Sequence, residues 1–556
     1  MVLTSAMTRG AAAALFLVAA VFYASGVRAE QKPQDERALS QEVYFSAGDE
    51  PPSMDPTKQA DTISSMWLGH IFEGLMSYDP AGNIIPGTAE SMTSSEDKKT
   101  WTFKIRKSAR WQDGKPVRAQ DFLYSWRRLV DPAYASEYSF IAIAAGILNA
   151  EDIIAKKQPK ENLGVSAVDD HTLEVKLGRP VPFFDSLATF QVFYPLRRDI
   201  VEKFGDKFAT DPASIIGNGP FKLAAWQKEQ SMRIERSPTY WDADKVKVQA
   251  IQSSAMVKDS QANFNNFQTG GIDYTTTSSP EIIKQAQAAK LKIQTFPTGC
   301  TTYIAFNVRP GRPFANKLLR QAVRDGVNRS EFVNKIIGVP GYKPTLGLVP
   351  DYMPGSKKGM TYRREAPVKG RDADYPSSQK HLQEYLAASK QTQPPSFTIL
   401  SDDGTLAKKF VEYWQNSLAK LLNTEVRVES VPFKTRLQKS RDGNYDVTLS
   451  GWCPDYRDPM TFMDLFTAGN DNNMTGWVNK TYEALIVKAA HESDMAVRVK
   501  LFAEAEALLL DESPMVPLDQ TGGAFVVAPA LKNMRHNAFG FSPDFRYAEW
   551  SGQPKH

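Results

Sequence analysis

Cysteine is nearly absent from this chain: 556 residues contain only Cys300 and Cys453. Two cysteines exclude a disulfide-dense scaffold and a four-cysteine zinc site. Histidine is scarce as well, and the six stand at positions 70, 171, 381, 491, 536 and 556, with no metal-ligand spacing. His491-Glu492 opens like a zinc-protease helix, but Met495 occupies the place of the second ligand. A charge excess is missing too. With 67 basic against 63 acidic residues, a net charge of +4 excludes a strongly basic nucleic-acid binder. The chain carries no G-x-S-x-G elbow, no P-loop and no G-x-G-x-x-G fingerprint, so the motif-bearing enzyme classes drop out and neither cofactor nor metal is expected. Past residue 24 no apolar run approaches the roughly 20 residues that span a bilayer. Low-complexity linkers and internal repeats of solenoid period are likewise missing.

What remains is large and well supplied with core-forming residues. Hydrophobic residues make up 42% and aromatics 11%, which excludes wholesale disorder. Single cores stop growing near 250–300 residues, so the length predicts several domains, and without linkers the chain should cross between them more than once. Residues 1–29 carry Arg9, an uncharged stretch from Ala11 to Ala24, and Val27-Arg28-Ala29 before a polar run. That is the pattern of a cleaved secretory signal peptide. Its removal leaves 65 basic and 63 acidic residues, because only Arg9 and Arg28 are lost. Export implies an oxidising compartment, most simply a bacterial periplasm, where Cys300 and Cys453 can be either a disulfide or two buried thiols.

Strand and helix patterns intermix. Residues 101–106, 171–177 and 231–236 alternate with period two and predict strands. Leu406, Phe410, Val411, Trp414, Leu418, Leu421 and Leu422 share one helical face behind an Asp402-Asp403-Gly404 entry turn, and Val497 to Leu510 forms a second amphipathic stretch. The class is therefore α/β or α+β. Lys343 to Lys380, rich in Pro, Gly, Lys, Arg and Ser, is expected to be a long surface connection. One segment has distinct chemistry: Tyr445 to Pro459 begins as a strand and ends in a turn with two carboxylates, two prolines and two aromatics. Pro454 stiffens the backbone in front of Asp455. A carboxylate so held suits a bound ammonium, whose burial costs several kcal/mol unless a fixed counter-charge meets it.

Several separated stretches share an order with a known family. They include Glu50-Pro51-Pro52-Ser53-Met54-Asp55-Pro56, Phe72-Glu73-Gly74-Leu75, Trp111-Gln112-Asp113-Gly114, Asp121 to Trp126, Asn218-Gly219-Pro220-Phe221, Ser237 to Trp241, and Gly451-Trp452-Cys453-Pro454-Asp455-Tyr456. Over roughly residues 40 to 530 the chain resembles the extracellular solute-binding proteins of family 5, the oligopeptide-binding components of ABC transporters. The resemblance implies a two-lobed α/β periplasmic binding protein (Venus-flytrap) fold with three interleaved domains. Domain I would take residues 30–70, 196–296 and 522–556, domain II 71–195, and domain III 297–521. It further implies a monomer that binds oligopeptides between its lobes and hands them to an inner-membrane ABC permease driven by separate ATPase subunits.

The family also implies roles for single residues. Asp455 meets the peptide ammonium, Gly451, Trp452 and Cys453 pair with the ligand backbone, Tyr138 touches the ligand, and Thr62 pairs through its backbone. Cys300 and Cys453 correspond to the family's disulfide. The chain departs from the family at Leu449, where an Arg is usual, at Ala60 and Ala305, where carboxylates are usual, and at Leu518-Asp519-Gln520-Thr521, where tyrosines are common. Arg436, Arg441 and Arg457 are nearby cations that could compensate for the missing Arg, although solvated surface positions are the expectation for them. These departures motivate a rival reading, a same-fold binder of an opine-like compound, an amino-sugar conjugate or a metal chelate. A more remote rival is an exported hydrolase with a dispersed active site.

Overall fold

Alternating residues at 101–105 and 172–176 put Trp101, Phe103, Ile105, Leu173 and Val175 on one buried face, as period-two strands require. In the computed structural model these two strands, Thr100–Ile105 and Thr172–Lys176, pair antiparallel at the centre of a four-stranded sheet. Ala89–Ser94 and Val165–Asp169 form its edges, and helix Ala119–Val130 packs against it. The structure describes residues 32–551 except Ala60, Ala255, Lys358, Gly469 and Asp471. The signal peptide expected at 1–29 and the departure at Ala60 lie outside the described residues.

A second four-stranded sheet joins distant parts of the chain. Glu42–Phe45 runs parallel to Ala250–Ser253, which pairs with Ser231–Arg236 and through it with Phe221–Gln227. The third sheet has seven strands in the order Tyr274–Thr276, Met515–Val527, Gln294–Phe306, Val447–Trp452, Phe397–Asp402 and Val426–Val431, with Lys343–Pro344 added on Met515–Val527. Helix Thr405–Leu422 covers it as its periodicity predicts, with Val411, Trp414, Leu418 and Leu422 buried, although Leu406 in the first turn stays exposed. One hydrophobic core belongs to this sheet. A larger core runs through the first two sheets and on into the helices between Met460 and Leu509.

Several of the family-like sequence stretches meet at buried polar hubs. The Glu73 carboxylate accepts hydrogen bonds from Tyr240 Oη at 2.5 Å, Trp241 Nε1 at 2.7 Å and Thr88 Oγ1 at 3.1 Å, and Asn218 Oδ1 accepts the Glu73 N–H. Asp55 pairs with Arg128 at 2.6 Å, and Trp111 donates to Asp121 at 3.1 Å. A buried charge must find such partners or destabilise the fold by several kcal/mol. These motifs therefore lock the chain crossings that the interleaved topology needs.

The Lys343–Lys380 stretch departs from expectation. Leu348, Val349, Met353 and Tyr362 are buried within it. The cause is Glu506 of helix Met495–Glu512, whose buried carboxylate accepts from the Leu348 and Val349 amides, Tyr362 Oη and Arg363. A polar composition concealed a segment held by one buried acid.

Candidate ligand-binding site

Strand Val447–Trp452 lies inside the seven-stranded sheet, yet only two of its six residues are covered on one edge. On one side it pairs with Gln294–Phe306 along its whole length, from Phe306↔Val447 to Thr301↔Trp452. On the other, Phe397–Asp402 pairs only at Ile399↔Val447 and Leu400↔Thr448. Past Thr448 the two strands separate, and the Leu449–Trp452 edge has no strand partner there among the described residues. Such an edge offers a row of N–H and C=O groups to an extended chain.

The disulfide Cys300–Cys453 continues the same antiparallel register by one position beyond Thr301↔Trp452. It fixes the end of the open edge just before Pro454 and Asp455. From the other side the turn is held by a fully buried ion pair, Asp458 with Arg498, at 2.5 and 3.0 Å. Arg498 also donates to the Ala489 carbonyl and lies 5.1 Å over the Phe183 ring. Tyr456 stacks on Phe183, with ring centroids 4.9 Å apart and planes within 5°. Because Phe183 belongs to the stretch after the first sheet, this stack joins the turn to that distant part of the chain.

Asp455 stands in the middle of this scaffold. Its N–H donates to Thr461 Oγ1 at 3.2 Å, while its carboxylate has no hydrogen bond or ion pair among the described residues. Burial alone pushes its pKa up to about 7. Asp464 is also pushed up to about 7, by burial and then by the Asp455 charge. Asp455 is half-buried, and a carboxylate left there without a partner has the chemistry to meet a cation.

The structure brings some of the sequence-derived candidates together. Burial, then the charges of Asp455 and Asp61, raise the pKa of Tyr138, so these groups share one region. Tyr138 packs on Phe140 and Phe190. Thr62 is exposed at the first position of helix Thr62–Ile71, which Asp61 caps by accepting the Ser64 N–H at 2.8 Å. Asp61 stands one residue beyond Ala60, the family's acidic position, and so a motif comparison does not register it. Gly451 is exposed on the open edge, and Trp452 is half-buried, with Nε1 3.5 Å from Thr461 Oγ1.

Other positions behave differently. Ala305 is buried, 2% exposed, and paired with Thr448 and Met515. Arg441 is exposed, as expected. Arg436 corrects its expected place at a solvated surface, because it is only 5% exposed and donates through Nε to Asp402 at 2.7 Å. Arg457 also departs from that expectation: its N–H donates to Ser186 Oγ at 2.8 Å and its Nη1 to the Gly82 carbonyl at 3.1 Å, tying the turn to two distant parts of the chain. In both cases an acceptor distant in sequence, Asp402 or the Gly82 carbonyl, captures the cation.

A cavity of about 250 Å³ opens where Phe397–Asp402 and Val447–Trp452 diverge, lined among others by Asp402, Trp414, Arg436, Leu449, Gly451 and Asp519. Thr521, another departure, lines it too and bonds to Thr298. A larger cavity of about 630 Å³ lies under the Glu50–Asp55 turn, but there Arg128 and Asp55 already satisfy each other. No group of acidic, His or Cys side chains arranged to hold a metal ion occurs among the described residues.

Residues 83–474 match the family described as bacterial extracellular solute-binding proteins, family 5. The chain belongs to that family. Among its family 5 relatives, the periplasmic oligopeptide-binding protein OppA of Salmonella typhimurium is 32% identical over 535 residues, covering 94% of this chain and 95% of the relative. The substrate-binding domain of an oligopeptide ABC transporter from Bacillus anthracis superposes with a TM-score of 0.78 at 33% identity, covering 93% of this chain and 99% of that one. OppA of Listeria monocytogenes, solved bound to peptide, gives 0.76 at 32% identity, with 92% and 99% covered. The two-lobed α/β architecture of family 5 binding proteins is therefore the fold of this chain.

Proposed function

We propose that this chain is a periplasmic solute-binding protein that captures extended oligopeptides between its lobes and delivers them to an inner-membrane ABC permease. One observation carries the reading: an unpartnered carboxylate, Asp455, stands at the end of an open strand edge, Leu449–Trp452. The carboxylate suits a peptide's ammonium, and the edge suits its backbone. Main-chain pairing gives affinity that is largely independent of side-chain identity. Micromolar binding corresponds to roughly 8 kcal/mol, within reach of one charge pair and a short ladder. The relatives named oligopeptide-binding proteins support the same reading. The role is binding rather than catalysis, with energy for transport supplied by the ATPase subunits. The cleaved segment 1–29, the monomeric state and the three-domain division at 30–70/196–296/522–556, 71–195 and 297–521 belong to this proposal. Tyr138, Thr62, Gly451, Trp452 and Cys453 would line the ligand with Asp455.

Calorimetric titration tests it. Asp455→Asn is expected to weaken tripeptide binding at least tenfold, and N-acetylated peptides to bind the native protein equally poorly. Equal affinity for free and acetylated peptides would remove Asp455 from this role.

The titration of Asp455 adds a pH dependence. Its folded-state pKa of about 7 lies above the ordinary 3.8, so the proton is held between those values in the folded protein and lost in the unfolded one. This contribution to stability is present at low pH and disappears as pH rises through 7. Ligand binding runs oppositely, because the ammonium favours the ionised carboxylate. Affinity should climb from pH 5 to about 7 and fall again as the peptide ammonium deprotonates at about pH 8, with proton release on binding at pH 6 and with the Asp455 part of the slope abolished in Asp455→Asn. A pH-independent affinity in the native protein would contradict the assignment.

A further inference from the structure

The cavity beside the open edge contains polar groups that the fold leaves unsatisfied. Arg436 donates through Nε to Asp402, but its buried Nη1 has no hydrogen-bond partner among the described residues. Trp414 lines the same cavity, and its buried Nε1 is also without an acceptor. Opposite in character is Asp519, which accepts from Thr302 through Oδ2 and leaves Oδ1 unpartnered. The two kinds of orphan are not equivalent. A guanidinium cannot lose its charge in a protein, so only an incoming acceptor satisfies it. A carboxyl group can take up a proton, and burial already pushes Asp519 up to about 6.

We propose that Arg436 receives a carboxylate of the bound ligand in the cavity between strands Phe397–Asp402 and Val447–Trp452. Asp402 on Nε fixes the guanidinium, and Trp414 Nε1 offers a second donor. The site answers the loss of the family's cation at Leu449, which lines the same cavity with an apolar side chain. Geometry also bounds the ligand, given the peptide-binding reading on which this inference rests. A strand rises about 3.3 Å per residue, so Trp452 to Leu449 spans roughly 10 Å. A peptide with its ammonium at Asp455 and its backbone along this edge brings its own C-terminal carboxylate to the cavity when it is about three residues long. In a longer peptide an acidic side chain at that position supplies the same group.

Calorimetry with trialanine, trialanine amide and Ala-Ala-Glu amide separates these sources in the native protein, without relying on any variant to fold. Trialanine is expected to bind at least tenfold more tightly than its amide. Recovery of affinity by the Glu-bearing amide assigns the cavity to acidic side chains as well, and its failure restricts it to the terminus. In Arg436→Met, checked for folding by thermal melting, the discrimination should vanish while the dependence on Asp455 persists. Equal binding of all three ligands to the native protein overturns the Arg436 assignment and leaves the peptide reading intact if Asp455→Asn still weakens them. Absence of binding by all three overturns both.

Discussion

Arg498→Met is expected to destabilise the protein by about 3–5 kcal/mol, measured by chemical denaturation followed by tryptophan fluorescence. Both partners of the Asp458–Arg498 pair are essentially inaccessible to water, with side chains 1% and 0% exposed. Removing the guanidinium leaves Asp458 buried without its counter-charge, and the desolvation cost then falls on the folded state alone. The damage extends to ligand binding. Asp458 follows Asp455 in the same turn, and its Oδ1 also accepts the Met460 N–H. Losing Arg498 therefore loosens both the Asp455 turn and its contact with Phe183. The double variant Asp458→Asn/Arg498→Met should recover part of the stability, because it removes the stranded charge. Full additivity of the two substitutions would show that the pair does not act as a unit.

Reduction of Cys300–Cys453 is the second large effect. The bridge closes a loop with a sequence separation of 153, and in the chain-entropy description its loss releases on the order of 5 kcal/mol into the unfolded state. A lowered urea midpoint in the presence of reductant, reproduced by Cys300→Ser/Cys453→Ser, is the expected result. Peptide affinity should fall too, since the bridge joins the open edge to the residue before Pro454. An unchanged midpoint on complete reduction would mean that the 12 paired residues from Thr301 to Phe306 and Val447 to Trp452 hold this register alone.

Much of the candidate site is legible in linear sequence. Pro454 and Asp455, flanked by aromatics and preceded by an alternating strand, announced a stiff carboxylate, and the ordered motifs pointed to the family. The arginines were not legible in the same way. Arg436, Arg441 and Arg457 look alike in a polar stretch, and only packing separates one that faces Asp402, one in solvent and one bridging to Ser186. Asp61 was missed for a related reason. A one-residue displacement hides an acid from motif comparison, but its charge still reaches Tyr138. Lys343–Lys380 shows the converse error, because composition reports average polarity and cannot reveal that Glu506 draws Leu348, Val349 and Tyr362 inward.

Several features of this chain are written in its local chemistry. These are the near-neutral charge, the alternating strands, the Thr405–Leu422 helix and the rigid turn carrying Asp455. Tertiary structure alone decided which groups are left unsatisfied. Leu449–Trp452 is an open edge because Phe397–Asp402 diverges after Leu400, and Arg436 is an unfilled donor because burial removed its water without supplying an acceptor. Affinity for a ligand resides in such unsatisfied groups. Local sequence specifies the donors and acceptors a chain carries, and only the folded arrangement determines which of them still need a partner.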